Sequence, residues 1–166
     1  MYTIISGTNR PGSNTRKIAQ LYQRLLAARG VDARLVSLEN LEVGTRNDAI
    51  RHLEEEVLVP SSKFIFVTPE YNGSFPGVLK SLFDNSDIEK VWRGKKALLT
   101  GVSTGRAGNL RGMDHLTGVL HYLKVVVHPN KLPISVVNTL LTAENDVTDA
   151  ATLKAIGQQL DEFIAF

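Results

Sequence analysis

Short runs of β-branched and aliphatic residues, apolar on both faces, alternate along this chain with stretches of helical period. No other feature narrows the fold as much. The runs cover residues 2–6, 33–38, 63–68, 97–102 and a last stretch made of 125–128 with 132–137, each bounded by Gly, Pro, Ser or Asn. Strands without a polar face belong at the centre of a parallel sheet covered by helices on both sides.

The intervening segments read as helices. Ile18, Leu21, Tyr22, Leu25 and Leu26 recur at helical spacing, and Gly30 supplies the stop. A more polar helix over 48–58 turns Ile50, Leu53 and Val57 inward and leaves Glu54, Glu55 and Glu56 as a wet face. Pro76 opens a third helix, with Val78, Leu79, Leu82 and Phe83 inward. A fourth spans 108–123 and buries Leu116, Val119, Leu120 and Leu123. The last carries Leu153, Ile156, Leu160, Phe163 and Ile164 behind a Thr148 cap. Five strands alternating with five helices imply right-handed βαβ crossovers. The class is α/β, and 166 residues suit one domain over 1–166. The simplest solution is a doubly wound, five-stranded parallel sheet of order 2-1-3-4-5. Such a sheet holds its ligand beyond the carboxyl ends of the strands, beside strand 1.

Three loops therefore carry the functional reading. After strand 1 comes Ser6-Gly7-Thr8-Asn9-Arg10-Pro11-Gly12-Ser13-Asn14-Thr15. Its hydroxyls and amides, Arg10 and the start of a helix make a cradle suited to a phosphate. It lacks the Gly-Lys-Ser/Thr of a nucleotide-triphosphate loop and the Gly-x-Gly-x-x-Gly of a dinucleotide site. An ordinary helix start would need only one such residue. The loop after strand 3, Thr68-Pro69-Glu70-Tyr71-Asn72-Gly73-Ser74-Phe75-Pro76-Gly77, combines rigidity with aromatic surface and suits a planar ligand. As a plain turn it would serve just to start the next helix. The loop after strand 4, Ser103-Thr104-Gly105-Arg106-Ala107-Gly108-Asn109, lets backbone approach a ligand closely.

Composition removes other classes. Nineteen basic against seventeen acidic residues give a net charge of +2, with no basic stripe for nucleic acid. The chain has no Cys, so thiol chemistry and disulfides are out. No apolar run is long enough for a membrane span, and the first residues do not read as a leader, so a cytoplasmic setting is expected. His52, His115, His121 and His128 lack metal-ligand spacing, and packing or solvated roles are expected for them, with no metal site. The first loop has no acid, unlike a receiver domain, and no Gly-x-Ser-x-Gly elbow occurs. A phosphate cradle without acid–base machinery points to a cofactor that carries the chemistry.

Gly7-Thr8-x-Arg10-x-x-Ser13, Pro69-Glu70-Tyr71-Asn72-Gly73-Ser74-x-Pro76-Gly77-x-x-Lys80 and Ser103-Thr104-Gly105 together resemble the NADPH-dependent FMN reductase family, whose fold is flavodoxin-like. The middle motif is the most specific. The resemblance implies non-covalent FMN, with its phosphate on Thr8, Arg10, Ser13 and Thr15 and Asn14 adjacent. Pro69, Glu70, Tyr71, Asn72, Gly73 and Ser74 would line the ring, and Ser103, Thr104, Gly105 and Arg106 its other edge. No protein side chain is expected to act as the catalytic group. The implied activity is an NAD(P)H-dependent oxidoreductase with NADPH as donor. A small acceptor (a flavin, quinone, azo compound or metal oxyanion) would be reduced in a ping-pong cycle. A homodimer or homotetramer is implied, with Glu70 near intersubunit contacts; as single aromatics of the chain, Phe75 and Trp92 are interface candidates. Two alternatives are a flavodoxin-type electron carrier and a non-catalytic flavin-binding regulatory module. The net charge argues against the carrier, since such carriers are strongly acidic. Thr8, Ser81 and Arg106 depart from the family's usual Ser, Asn and small residue.

Overall fold

Alternation of side chains along each strand divides the interior into two cores, one on either face of the sheet. In the computed structural model, which describes residues 1–144 and 146–166, Ile5, Phe64, Phe66 and Leu99 point to one core and Ile4, Ile65, Val67 and Leu98 to the other. The strands are β1 (Tyr2–Ser6), β2 (Ala33–Ser37), β3 (Lys63–Pro69), β4 (Lys96–Val102), β5 (Val126–Val127) and β6 (Leu132–Ile134). All pair in parallel, in the order β2-β1-β3-β4-β5. The helices are α1 (Asn14–Ala27), α2 (Asp48–Leu53), α3 (Gly77–Asp84), α4 (Ile88–Val91), α5 (Leu110–Tyr122) and α6 (Ala150–Ala165). The first core is roofed by α2, α3, α4 and α5, the second by α1 and α6. This is the doubly wound α/β arrangement expected from the sequence, with several local differences.

The last strand is split. β5 pairs with Lys96 and Ala97 of β4, and β6 pairs with Thr100, Gly101 and Val102 along the same edge. Pro129 between them offers no N–H to a ladder, so one strand becomes two. The second helix keeps α geometry to Leu53 and then widens into a π-helical turn, Glu54–Leu58. Glu54 is buried there and takes both guanidinium nitrogens of Arg46 at 2.7 Å, while the Asp87 N–H donates to its Oε1 at 2.6 Å. The wet acidic face therefore begins at Glu55 and Glu56. Asp149, not Thr148, caps α6, its carboxylate accepting from the Thr152 N–H at 2.7 Å. The four-residue α4 is too short for a helical period to show in the sequence. It helps to seat Trp92, which is fully buried among Phe64, Phe66 and Phe83 and donates to Ser86 Oγ at 2.7 Å. Trp92 is a core residue and no interface candidate, and Phe75 packs half-buried on the same core.

The pairing register aligns the carboxyl ends that matter. Ser6 stands opposite Val67, and Thr68 and Pro69 stand opposite Gly101 and Val102. The chain leaves β1 toward β2 on one side and later returns to place β3 on the other, which opens a crevice above β1 and β3. Among the described residues no helix is long and apolar enough to cross a membrane.

Candidate functional site

The first loop turns tightly out of β1. The Gly7 N–H donates to Val67 O at 2.8 Å, and a side chain at Gly7 would meet Leu79 at 3.0 Å. Gly12 adopts φ +62° and delivers the chain to Ser13, whose Oγ accepts from the Arg16 N–H at 3.2 Å and caps α1. The first turn of α1 has no acidic residue, so its positive end is not offset from within. Arg10 has no carboxylate partner among the described residues; its guanidinium lies 4.1 Å from the centre of the Tyr71 ring. Thr15 is buried beneath the loop, and Asn14 donates from Nδ2 to Asn138 Oδ1 at 2.7 Å.

The second loop leaves β3 beside β4, the Glu70 N–H donating to Val102 O at 3.0 Å. Tyr71 and Ser74 then exchange two backbone bonds, of 2.8 and 3.1 Å, around Asn72 and Gly73. Both central residues have positive φ, 51° and 77°, the signature of a type I′ turn that Asn-Gly favours. Ser74 Oγ lies 2.9 Å from His115 Nδ1, and Arg111 reaches the back of Gly73. His115 thus braces this loop from α5, a more specific role than the solvated or packing one expected.

The third loop is held by its own first residue. Ser103 Oγ donates to Gly105 O at 2.9 Å and accepts from the Gly108 N–H at 3.0 Å. Backbone bonds from Val136 to Gly105 O and from Val137 to Ser103 O fasten the loop to the segment after β6. The Ser103 hydroxyl is spent inside the loop, which leaves Thr104 and the backbone to meet a ligand.

These loops enclose two abutting cavities over the ends of β1, β3 and β4. One, of about 240 Å³, is walled by Arg10, Ser13, Asn14 and Thr15 on one side and by Pro69, Tyr71 and Ser103 on the other. The second, of about 260 Å³, is bounded by Asn72, Gly73, Gly105 and Arg106. Glu70, Ser103 and Thr104 line both, so the two form one cleft. Two of the residues singled out from the sequence stand apart. Thr8 is buried, its hydroxyl bonded to Tyr71 OH at 2.6 Å, and Ser74 faces His115. A larger concavity of about 420 Å³ meets the cleft at Ser13 and runs from there along the outside of α1 to Glu144 and Asp146. Two of its cations already have partners, Arg16 with Glu39 and Arg24 with Asp146.

The donor set suits a ligand with an anionic tail and a flat head. Arg10 and the unopposed start of α1 serve the tail, and two rigid, glycine-bearing loops serve the head. Val137 also lines the cleft, and Asn138 holds Asn14. Neither was expected, because residues after β6 carry no motif and reach the site only through the split strand.

A family model described as NADPH-dependent FMN reductase matches residues 2–139. The chain is 34% identical over 117 residues to an NAD(P)H-dependent FMN reductase of Pseudomonas aeruginosa, covering 68% of this chain and 62% of that protein. It is 29% identical over 116 residues to a 2-hydroxy-1,4-benzoquinone reductase of a Burkholderia species, covering 68% of this chain and 63% of that one. The matched stretch is therefore somewhat under two thirds of these relatives' length. A flavoenzyme NAD(P)H:(acceptor) oxidoreductase from Paracoccus denitrificans superposes with a TM-score of 0.79 at 24% identity, over 99% of this chain and 94% of that one. A variant flavodoxin from Pseudomonas aeruginosa superposes at 0.64 and 21% identity, over 99% of this chain and 96% of that one, which adds to the case for the fold.

Proposed function

The chain belongs to the NADPH-dependent FMN reductase family, and from that premise we propose that it is an FMN-dependent NAD(P)H oxidoreductase acting on a small planar acceptor. The observation that carries the reading is the cleft itself, in which Arg10, without an ion-pair partner among the described residues, and the start of α1 lie at one end and the 70–73 and 103–106 loops at the other. Bound there, FMN supplies two-electron chemistry between NAD(P)H and the acceptor.

The protein's own residues bind, orient and exclude water. Arg10 and the first-turn N–H groups of α1, with Ser13, Asn14 and Thr15, hold the phosphate. Thr8 acts through Tyr71, fixing the ring over which Arg10 lies. Pro69, Glu70, Tyr71, Asn72 and Gly73 form one wall for the flat head, and Thr104, Gly105 and Arg106 form the other. The Asn72 and Gly73 N–H groups, at the tip of the I′ turn, lie outside its two backbone bonds and would offer fixed donors to the flat head. One open mouth serves donor and acceptor in turn, so the kinetics are ping-pong. The name of the Burkholderia relative supports a quinone as one acceptor.

We also read the protein as a cytoplasmic homodimer. An apolar groove of about 540 Å³ between α3 and α5, lined by Phe83, Ile88, Val119 and Tyr122, includes His115, which braces the second loop. Tyr122, 80% exposed, and Ile88, 42% exposed, make the groove an exposed apolar patch of the kind that marks an interaction surface. A second copy covering this groove would shield the flavin loop, and Tyr122→Glu should halve the mass measured by light scattering.

The functional reading is tested by anaerobic NADPH addition to the FMN-loaded chain. Rapid bleaching of the flavin band near about 450 nm is expected. Slow bleaching would favour the electron carrier, and an intact fold without affinity for FMN would remove the flavin assignment.

A further inference from the structure

We propose that Asn109 is a positioning residue that sets the spacing of the second and third loops and, through it, the affinity of the cleft for FMN. The inference rests on the functional reading above and concerns a residue that does not line the cleft.

Asn109 closes the third loop at the foot of α5, where it is fully buried with a left-handed backbone of φ 63°. Such a backbone is disfavoured for a residue with a side chain, and Asn tolerates it better than most. The residue occupies the N-cap position of α5, yet its side chain makes no capping bond. It reaches back across the fold instead. Nδ2 donates to Thr68 O at 3.0 Å and to Pro69 O at 2.9 Å, the last two carbonyls of β3. The second loop departs from those residues. With the bond from Glu70 to Val102 O, the amide straps both walls of the cleft at their roots.

The surroundings are cleared for this side chain. A methyl on Gly112 would overlap Asn109 Oδ1 and stand 2.8 Å from the Ser74 carbonyl carbon. Oδ1 itself is buried with no hydrogen-bond partner among the described residues. An unsatisfied acceptor on a strained backbone is unfavourable in isolation. The two donated bonds are what this arrangement secures, and they act on the ligand-lining loop and not on α5.

The test uses Asn109→Gly in the full chain, since glycine adopts the same backbone without strain while removing the strap. FMN binding, followed by flavin fluorescence well below the melting temperature, should weaken about 10- to 100-fold. In the ligand-free chain, amide exchange at 70–74 should quicken while Phe64 and Ile65 in β3 stay protected. Asn109→Asp keeps the shape but turns an oxygen toward two carbonyls; it should loosen the loop in the same way, and it serves if the glycine variant does not accumulate. A lower melting temperature with unchanged FMN affinity, or exchange raised evenly throughout, would overturn the proposal. If the wild-type chain fails to bind FMN, the functional reading falls, and the exchange measurement alone then decides whether the strap exists.

Discussion

The hydroxyls of Thr8 and Tyr71 lie 2.6 Å apart, joining the buried turn after β1 to the loop after β3 behind the wall of the cleft. The same Tyr71 ring carries the Arg10 guanidinium at 4.1 Å, so one aromatic side chain ties the buried Thr8 hydroxyl to the guanidinium at the cationic end of the cleft. Tyr71→Phe keeps the ring and its stacking but removes the bond. FMN affinity should fall by about 2- to 10-fold, the worth of one partly buried hydrogen bond, with little change in melting temperature. Fluorescence titration checks this, and an unchanged affinity would show that the bond is incidental.

Two glycines of α5 should behave in opposite ways. Gly118 has nothing within 4 Å of an added methyl, so Gly118→Ala should stabilise the chain by about 0.5–1 kcal/mol through helix propensity. Gly112→Ala drives a methyl into Asn109 and against Ser74, and should destabilise by at least about 2 kcal/mol. Urea unfolding of the two variants gives the comparison directly.

Glu54 is 6% exposed at its side chain and Arg46 is 40% exposed. Removing the arginine leaves a buried carboxylate with one backbone N–H, that of Asp87, as its remaining partner. Arg46→Ala should therefore destabilise by about 2 kcal/mol, below the figure for a fully buried pair because half of this one is wet. A shift in urea midpoint at constant slope is the expected readout.

Acid should loosen α6 in particular. The Thr152 hydroxyl and N–H hold the Asp149 carboxyl below its ordinary value, Arg29 does the same for Asp161, and Asn130 and Gln158 do so for Glu162. Native values lower than unfolded ones mean that the unfolded chain takes up protons first as pH falls. Stability from these three acids is therefore present above the ordinary carboxylate range and is lost as pH drops through and below it. The part of the urea midpoint that these acids set should decline below about pH 4.5. A midpoint that rose in acid would contradict the assignment.

Much of this architecture could be read from residue order because buried parallel strands declare themselves on both faces. Phe64, Ile65, Phe66 and Val67 are all fully buried, which leaves no polar side to disguise the strand. The loops at the strand ends followed from the topology. What stayed hidden depended on contacts distant in sequence. Glu54 reads as one of three acids until Arg46 and the Asp87 amide surround it. Trp92 reads as a lone aromatic until the short α4 turns it under Phe83. Asn109 looks like the end of a glycine loop, and only the approach of β3 reveals where its amide goes.

The most direct test of the central claim is FMN affinity in the paired substitution Arg10→Ala with Ser13→Ala. Both residues stand at the cationic end of the cleft and neither belongs to the core. Loss of the Ser13 cap should lower stability by about 1 kcal/mol, leaving a folded chain. FMN should bind at least about 100-fold more weakly than to the wild type, as expected when a guanidinium and a cap beside the phosphate are removed. Equal affinity in the two proteins would contradict it and place the phosphate elsewhere.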